Sequence, residues 1–199
     1  MSLREIKMER TRELIVEVAF SRFQEQGFAA TTMEEIAAAA EVGTRTVYRY
    51  FPTKEALALS EFVAVFDASF HALRDCPEET SVSEVLRAGL ESLLRSYEEE
   101  PDRLRAAHAI AHETPSVRAH FAYLLETHEA TLQQEVAHRI GGASAELLAS
   151  LAVAQTGAVF GSAVRKWYTT GAPDDLRKQV RAALQALRAG EVPAPAPLA

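Results

Sequence analysis

Residues Thr32 to Leu57 read TMEEIAAAAEVGTRTVYRYFPTKEAL, and the punctuation of this stretch admits few backbones. Thr32-x-x-Glu35 is a capping box, in which hydroxyl and carboxylate reciprocally satisfy the open N–H groups at a helix start. A short helix follows, with Ile36, Ala37 and Ala40 as its inner face and alanines small enough for a close crossing. Glu41-Val42-Gly43 leaves room only for a tight turn, with Val42 as a core plug. A second short helix runs from Thr44 to Tyr50. Pro52 stops it, having no N–H to continue the ladder. Thr53 then caps a further helix that opens with Lys54-Glu55. Two short helices about a three-residue turn predict a helix-turn-helix over residues 32–51.

The outer face of the second helix suggests what the motif touches. At 100° per residue, Thr44, Tyr48, Arg45 and Arg49 share an arc of about 140°, while Val47 and Phe51 point elsewhere and pack inward. Each arginine can present a planar fork to guanine or charge to phosphate. Tyr48 can offer its ring to a thymine methyl or its hydroxyl to phosphate, and Thr44 can reach either a base edge or a phosphate. Lys54 occupies a first helical turn, where a cation opposes the helix dipole by about 0.3–1 kcal/mol. A phosphate at that helix start, reached by the same lysine, accounts for the placement; a lysine pointing into solvent is the plainer alternative.

Charge locates the partner surface. The chain has 21 Lys+Arg and 28 Asp+Glu in 199 residues, a net charge of −7. Residues 1–56 hold 8 and 9 of these, leaving 13 and 19 for the rest. The acid is therefore concentrated away from the motif, and Val42 to Lys54 contains no acidic residue. Such a chain does not coat nucleic acid non-specifically but can carry one confined DNA-binding face. The single cysteine, Cys76, allows no internal disulfide and fits a reducing cytosol. The N-terminus has no apolar core of a secretory signal. Ala145 to Val164 is long and apolar enough to suggest a membrane, but its Ala, Gly, Glu146, Gln155 and Thr156 favour a buried helix.

Helical periodicity continues on both sides. A helix over about 5–26 has Leu14, Ile15, Val18, Ala19 and Phe23 inward, with Gly27 as its stop and Phe28 folding back. Arg4, Lys7, Arg10 and Arg12 crowd its start. After Thr53 one long helix is predicted to about residue 74. Further helices are predicted at about 82–98 behind a Ser81-x-x-Glu84 box, at 102–112, from Pro115 to about Ile140, at 144–169, and from Pro173 onward with Leu176, Val180, Leu184 and Leu187 as a stripe. The expected fold is all-α with about nine helices: a three-helix helix-turn-helix domain over 1–55 and a larger helical bundle over 56–190. The tail 191–199 is expected to be disordered.

The residues Ile15, Ala19, Phe23, Gly27-Phe28, Thr31-Thr32, Ile36-Ala37, Ala40, Val42, Thr46-Val47-Tyr48, Tyr50-Phe51 and Lys54-Glu55-Ala56-Leu57 resemble the DNA-binding domain of TetR-family transcriptional regulators. The resemblance covers about the first 60 residues. Glu41 departs from it, standing where the family usually has glycine, as does Gly43, where serine is common. The resemblance implies a cytoplasmic, non-enzymatic homodimer without cofactor, most often a repressor, paired through its last two helices (about 144–189) and bound to a palindromic operator. A small effector in the larger domain would release the DNA. By the same resemblance Thr46, Tyr50 and Lys54 hold phosphates and Thr44, Arg45, Tyr48 and Arg49 face bases; Thr32 completes the set of DNA-contact candidates.

Candidates for the effector pocket are Phe66, Phe70, Tyr97, His108, His112, Tyr123, His128 and Trp167. His108 and His112 also lie one turn apart at metal-ligand spacing. This leaves a helical-bundle metal-binding protein or enzyme as the alternative, although no Cys or second His pair supports a site.

Overall fold

The computed structural model describes residues 2–170 and 176–193. Among these there are ten helices and no strand: α1 Leu3–Gln26, α2 Met33–Ala39, α3 Thr44–Tyr50, α4 Lys54–Ala58, α5 Ser60–Arg74, α6 Val82–Glu99, α7 Pro101–Glu113, α8 Pro115–Ile140, α9 Ala145–Thr170 and α10 Leu176–Arg188. The all-α expectation holds. The tenth helix arises because the long helix predicted after Thr53 breaks at Leu59. There the buried Ser60 hydroxyl donates to the Leu57 carbonyl (2.8 Å), an alternative to the helical ladder that serine readily offers.

The chain divides into two compact units. One joins the chain up to Phe66 with Asp102–Thr127; the other joins Asp67–Pro101 with the chain from His128 onward. In the first unit α2 packs on α3 and α1, and α1 on α4. Its core holds Ile15, Val16, Ala19, Phe20, Phe23, Met33, Ile36, Ala37, Ala40, Val47, Phe51 and Leu57. The inner face of α1 is thus rotated from the predicted one: Leu14 is 42% exposed, while Val16 and Phe20 are buried. The helix also begins two residues before the expected start, because Ser2 and Glu5 form a capping box. Gly27 ends α1 at φ 85°, and the Phe23 and Phe28 rings meet at 5.2 Å, the expected fold-back.

In the second unit Leu73, Val85, Val136, Ala149 and Val153 form a core, flanked by Cys76 and Leu132. Arg139 ties the α5–α6 loop to α8 by donating to the carbonyls of Arg74, Cys76 and Pro77. Arg177 on α10 grips Glu91 and Glu98 on α6 at 2.6 and 2.7 Å. On α9, Ala149, Val153, Phe160 and Trp167 face inward, but Leu147, Leu148 and Leu151 are 64, 48 and 60% exposed. The buried helix expected there is therefore buried on one side only. By length and composition alone, Ala145–Thr169 could cross a membrane, with a third of its most apolar window buried. The predicted break at Gly171 and Pro173, and the tail beyond 193, lie outside the described residues.

Candidate nucleic-acid interface

The recognition face is built by alternation on α3. Val47 is fully buried and Phe51, just past the helix, is 4% exposed. Those two anchors turn Arg45, Tyr48 and Arg49 outward into solvent, with Thr44, Thr46 and Tyr50 half-buried at the edges. The structure thus brings all six together on one short helix. The Tyr48 hydroxyl donates to Glu34 on α2 at 3.4 Å. The Arg49 guanidinium lies over the Tyr50 ring at 5.3 Å, and that of Arg12, from α1, lies over Phe51 at 5.4 Å.

The α2 start is fixed as the sequence predicted. Thr32 accepts from the Glu35 N–H, and Glu35 accepts from the Thr32 N–H at 2.8 Å. The hydrogen bonds from the Thr32 backbone and hydroxyl hold the Glu35 carboxyl below its usual range. Both the hydroxyl and the amide of Thr32 therefore already serve the cap. Lys54 is also engaged. Its ammonium donates to the carbonyls of Phe28 and Thr31, both at 2.6 Å, and to that of Ala29 at 3.4 Å. It sits 4.5 Å from the centre of the Phe28 ring. The lysine expected to reach outward for phosphate, or into solvent, instead turns back into the α1–α2 loop. The only sequence signal for this was a cation in an unfavourable first turn.

The turn between α2 and α3 carries its own strain. Glu41 adopts φ 53°, the left-handed region, while its amide bonds to the Ala38 carbonyl and that of Val42 to the Ala37 carbonyl. These are the bonds of a helix stop normally closed by glycine.

The effector candidates divide between the units. In the first, His108 lies edge-on to Phe62 (4.7 Å between ring centres), and Phe121 packs on Phe62 at 4.5 Å. Burial pulls the His108 pKa down to about 4. Phe66 is buried in the same unit, His112 is exposed and Tyr123 is 70% exposed. Sequence reasoning chose Tyr123, on the opposite side of α8, and missed Phe62 and Phe121, whose rings meet His108. In the second unit Tyr97 meets Phe160 and Trp167 at 5.3 and 5.5 Å, and burial raises its phenol above the usual range. Burial also lowers the pKa of half-buried His128, with Asp67 opposing; half-buried Phe70 lies in this unit too. Among the described residues no three His, Cys, Asp or Glu side chains gather to hold a metal, so the metal alternative gains no support.

Residues 15–60 match the family model of bacterial regulatory proteins of the tetR family, and residues 80–192 match that of the MftR C-terminal domain. The chain belongs to the TetR family. The HTH-type transcriptional regulator TcmR of Streptomyces glaucescens is 41% identical over 75 residues, covering 38% of this chain and 33% of its own. The chain thus spans about a third of that relative's length. A Mycobacterium tuberculosis protein named for regulation of mycofactocin biosynthesis, MftR, is 25% identical over 134 residues, covering 67% of this chain and 68% of its own. The solved SmeT–triclosan complex shares the fold, with a TM-score of 0.60 and 21% identity over 95% of this chain and all of that one. The TetR match over 15–60 encloses α2, α4 and, between them, α3, the helix that presents Arg45, Tyr48 and Arg49.

Proposed function

We propose that this TetR-family chain is a homodimeric, sequence-specific DNA-binding transcriptional regulator, a repressor that a small-molecule effector releases from a palindromic operator. One observation carries the DNA reading: α3 is held by Val47 and Phe51 so that Arg45, Tyr48 and Arg49 project together from an acid-free stretch. In the major groove Thr44, Arg45, Tyr48 and Arg49 would face bases, while Thr46, Tyr50 and the α2 start at Thr32 would lie against phosphates. Residues 1–55 would form the DNA-binding domain and 56–190 the effector and dimerisation domain. The reading places the protein in the cytoplasm and needs no enzyme chemistry.

The dimer rests on α9. Leu147, Leu151, Ala154, Ala158, Gly161 and Arg165 are all exposed and recur at alternating four- and three-residue steps. That spacing gives one continuous seam, leucine at its start and small from Ala154 to Gly161, suited to a second copy of the same helix. Pairing there would cover the apolar leucines that leave α9 only part-buried. For the effector, the aromatic groups around His108 and around Tyr97 are the retained candidates. The fold shared with SmeT, solved bound to triclosan, supports an aromatic or apolar ligand class.

The DNA reading is tested with a duplex selected by the protein from a random pool. Arg45→Ala and Arg49→Ala should each relax specificity at one base position per half-site, by about 1–3 kcal/mol for a bidentate contact. Uniform weakening across all sequences would show that the arginines read only phosphate.

A further inference from the structure

We propose that Lys54 is a positioning residue that bolts the start of α4 to the α1–α2 loop and so sets the recognition helix, rather than a ligand of DNA phosphate. The inference rests on the DNA-binding reading for its consequence and on the geometry of the first unit for its substance.

The cradle is complete without DNA. An ammonium has three N–H donors and no acceptor, and three carbonyls converge on this one, those of Phe28, Ala29 and Thr31. The Phe28 ring lies beneath it, adding attraction for a cation. The loop that supplies the carbonyls is itself fixed. Thr31 is fully buried, and its hydroxyl donates to the Gly27 carbonyl at 2.9 Å. Gln26 donates to both the Thr31 hydroxyl and Glu35, linking the cradle to the α2 cap. Thr32, next in sequence to the last residue whose carbonyl accepts from Lys54, opens α2, and α2 packs on α3. A displacement of α4 is thereby transmitted through Lys54 to α2 and onward to the recognition helix. It also explains a cation in the first turn of α4 without any anion: the carbonyl dipoles replace water around the charge. Reaching a phosphate would leave three loop carbonyls to find other partners.

Two measurements decide this. In the first, Lys54→Met and Lys54→Arg are compared with wild type by denaturant unfolding without DNA and by binding to the wild-type-selected duplex at several salt concentrations. Both variants should shift the folding equilibrium by about tenfold or more, since hydrogen bonds to a charged group are lost or misfitted. Affinity should fall while the slope of log affinity against log salt stays at the wild-type value. Unchanged DNA-free stability with a slope smaller by about two per dimer for Lys54→Met, about one per phosphate released, would overturn the proposal, as would wild-type behaviour of Lys54→Arg. The second uses wild type alone, so a variant that fails to fold does not decide the matter. The 15N resonance of the Lys54 ammonium should show hydrogen-bond coupling to backbone carbonyls and keep it when the duplex is added; coupling to 31P in its place would contradict the assignment. If wild type prefers no duplex, the DNA reading fails, while the unfolding arm and the DNA-free coupling still test the bolt.

Discussion

Glu41 shows how one side chain can be out of step with its backbone. At φ 53° it occupies the position that ends α2 and aims α3, and a side chain with a Cβ pays roughly 1–2 kcal/mol for that conformation. The turn keeps its shape because the amides of Glu41 and Val42 close back onto Ala38 and Ala37. Glu41→Gly should therefore stabilise the protein by about 0.5–1 kcal/mol in denaturant unfolding, the gain net of the added freedom of the unfolded chain. A loss of stability would show that the glutamate side chain makes a compensating contact. Removing this charge beside the recognition helix should also raise DNA affinity at low salt more than at high salt, because the effect is screened. Equal gains at both would place its action in the backbone alone.

Among the elements, α9 yields the sharpest consequence. Leu151 is 60% exposed, so under the proposed α9 pairing a glutamate there should leave the monomer fold standing and prevent dimerisation. Sedimentation of Leu151→Glu should give a monomer with full helical content, and binding to a two-half-site duplex should weaken by about tenfold or more; a dimer as stable as wild type would remove α9 from the interface. The sequence showed the start of α2 clearly, because Thr32 and Glu35 are a local device whose partners lie three residues apart. Arg45, Tyr48 and Arg49 were equally legible, since Val47 and Phe51 fix the phase of α3. Lys54 was not. Its partners are carbonyls more than twenty residues away, and no periodicity encodes which carbonyl a flexible cation finds. The inner face of α1 slipped for a related reason: Leu14 is as apolar as Val16, and only packing against α2 and α4 selects between them. Tyr123 and Phe121 stand two positions apart on α8, so composition alone could not choose the one that packs against Phe62.

At the scale of the whole molecule, part-buried histidine links stability to pH. The folded pKa of His108 lies near 4, below its ordinary 6.5, so between those values the unfolded chain binds the extra proton and stability falls as the solution is acidified. Above pH 6.5 the imidazole is neutral in both states and contributes no slope. His108→Phe should flatten stability against pH in that window while keeping the ring contacts with Phe62; His128, lowered in the same direction, should leave a residual slope. An unchanged profile would place the acid sensitivity elsewhere. Charge is distributed in the same partitioned way. A net −7 with an acid-free segment at Val42–Lys54 confines attraction for DNA to one face, so binding should combine strong salt dependence with high selectivity. The most direct test titrates the selected palindromic duplex and a random duplex of equal length between about 50 and 200 mM salt. The expected result is a steep linear fall of log affinity with log salt for both, with the palindrome preferred by about a thousandfold or more at the upper end. Equal affinity for the two duplexes at moderate salt would contradict the reading of this chain as a sequence-specific regulator.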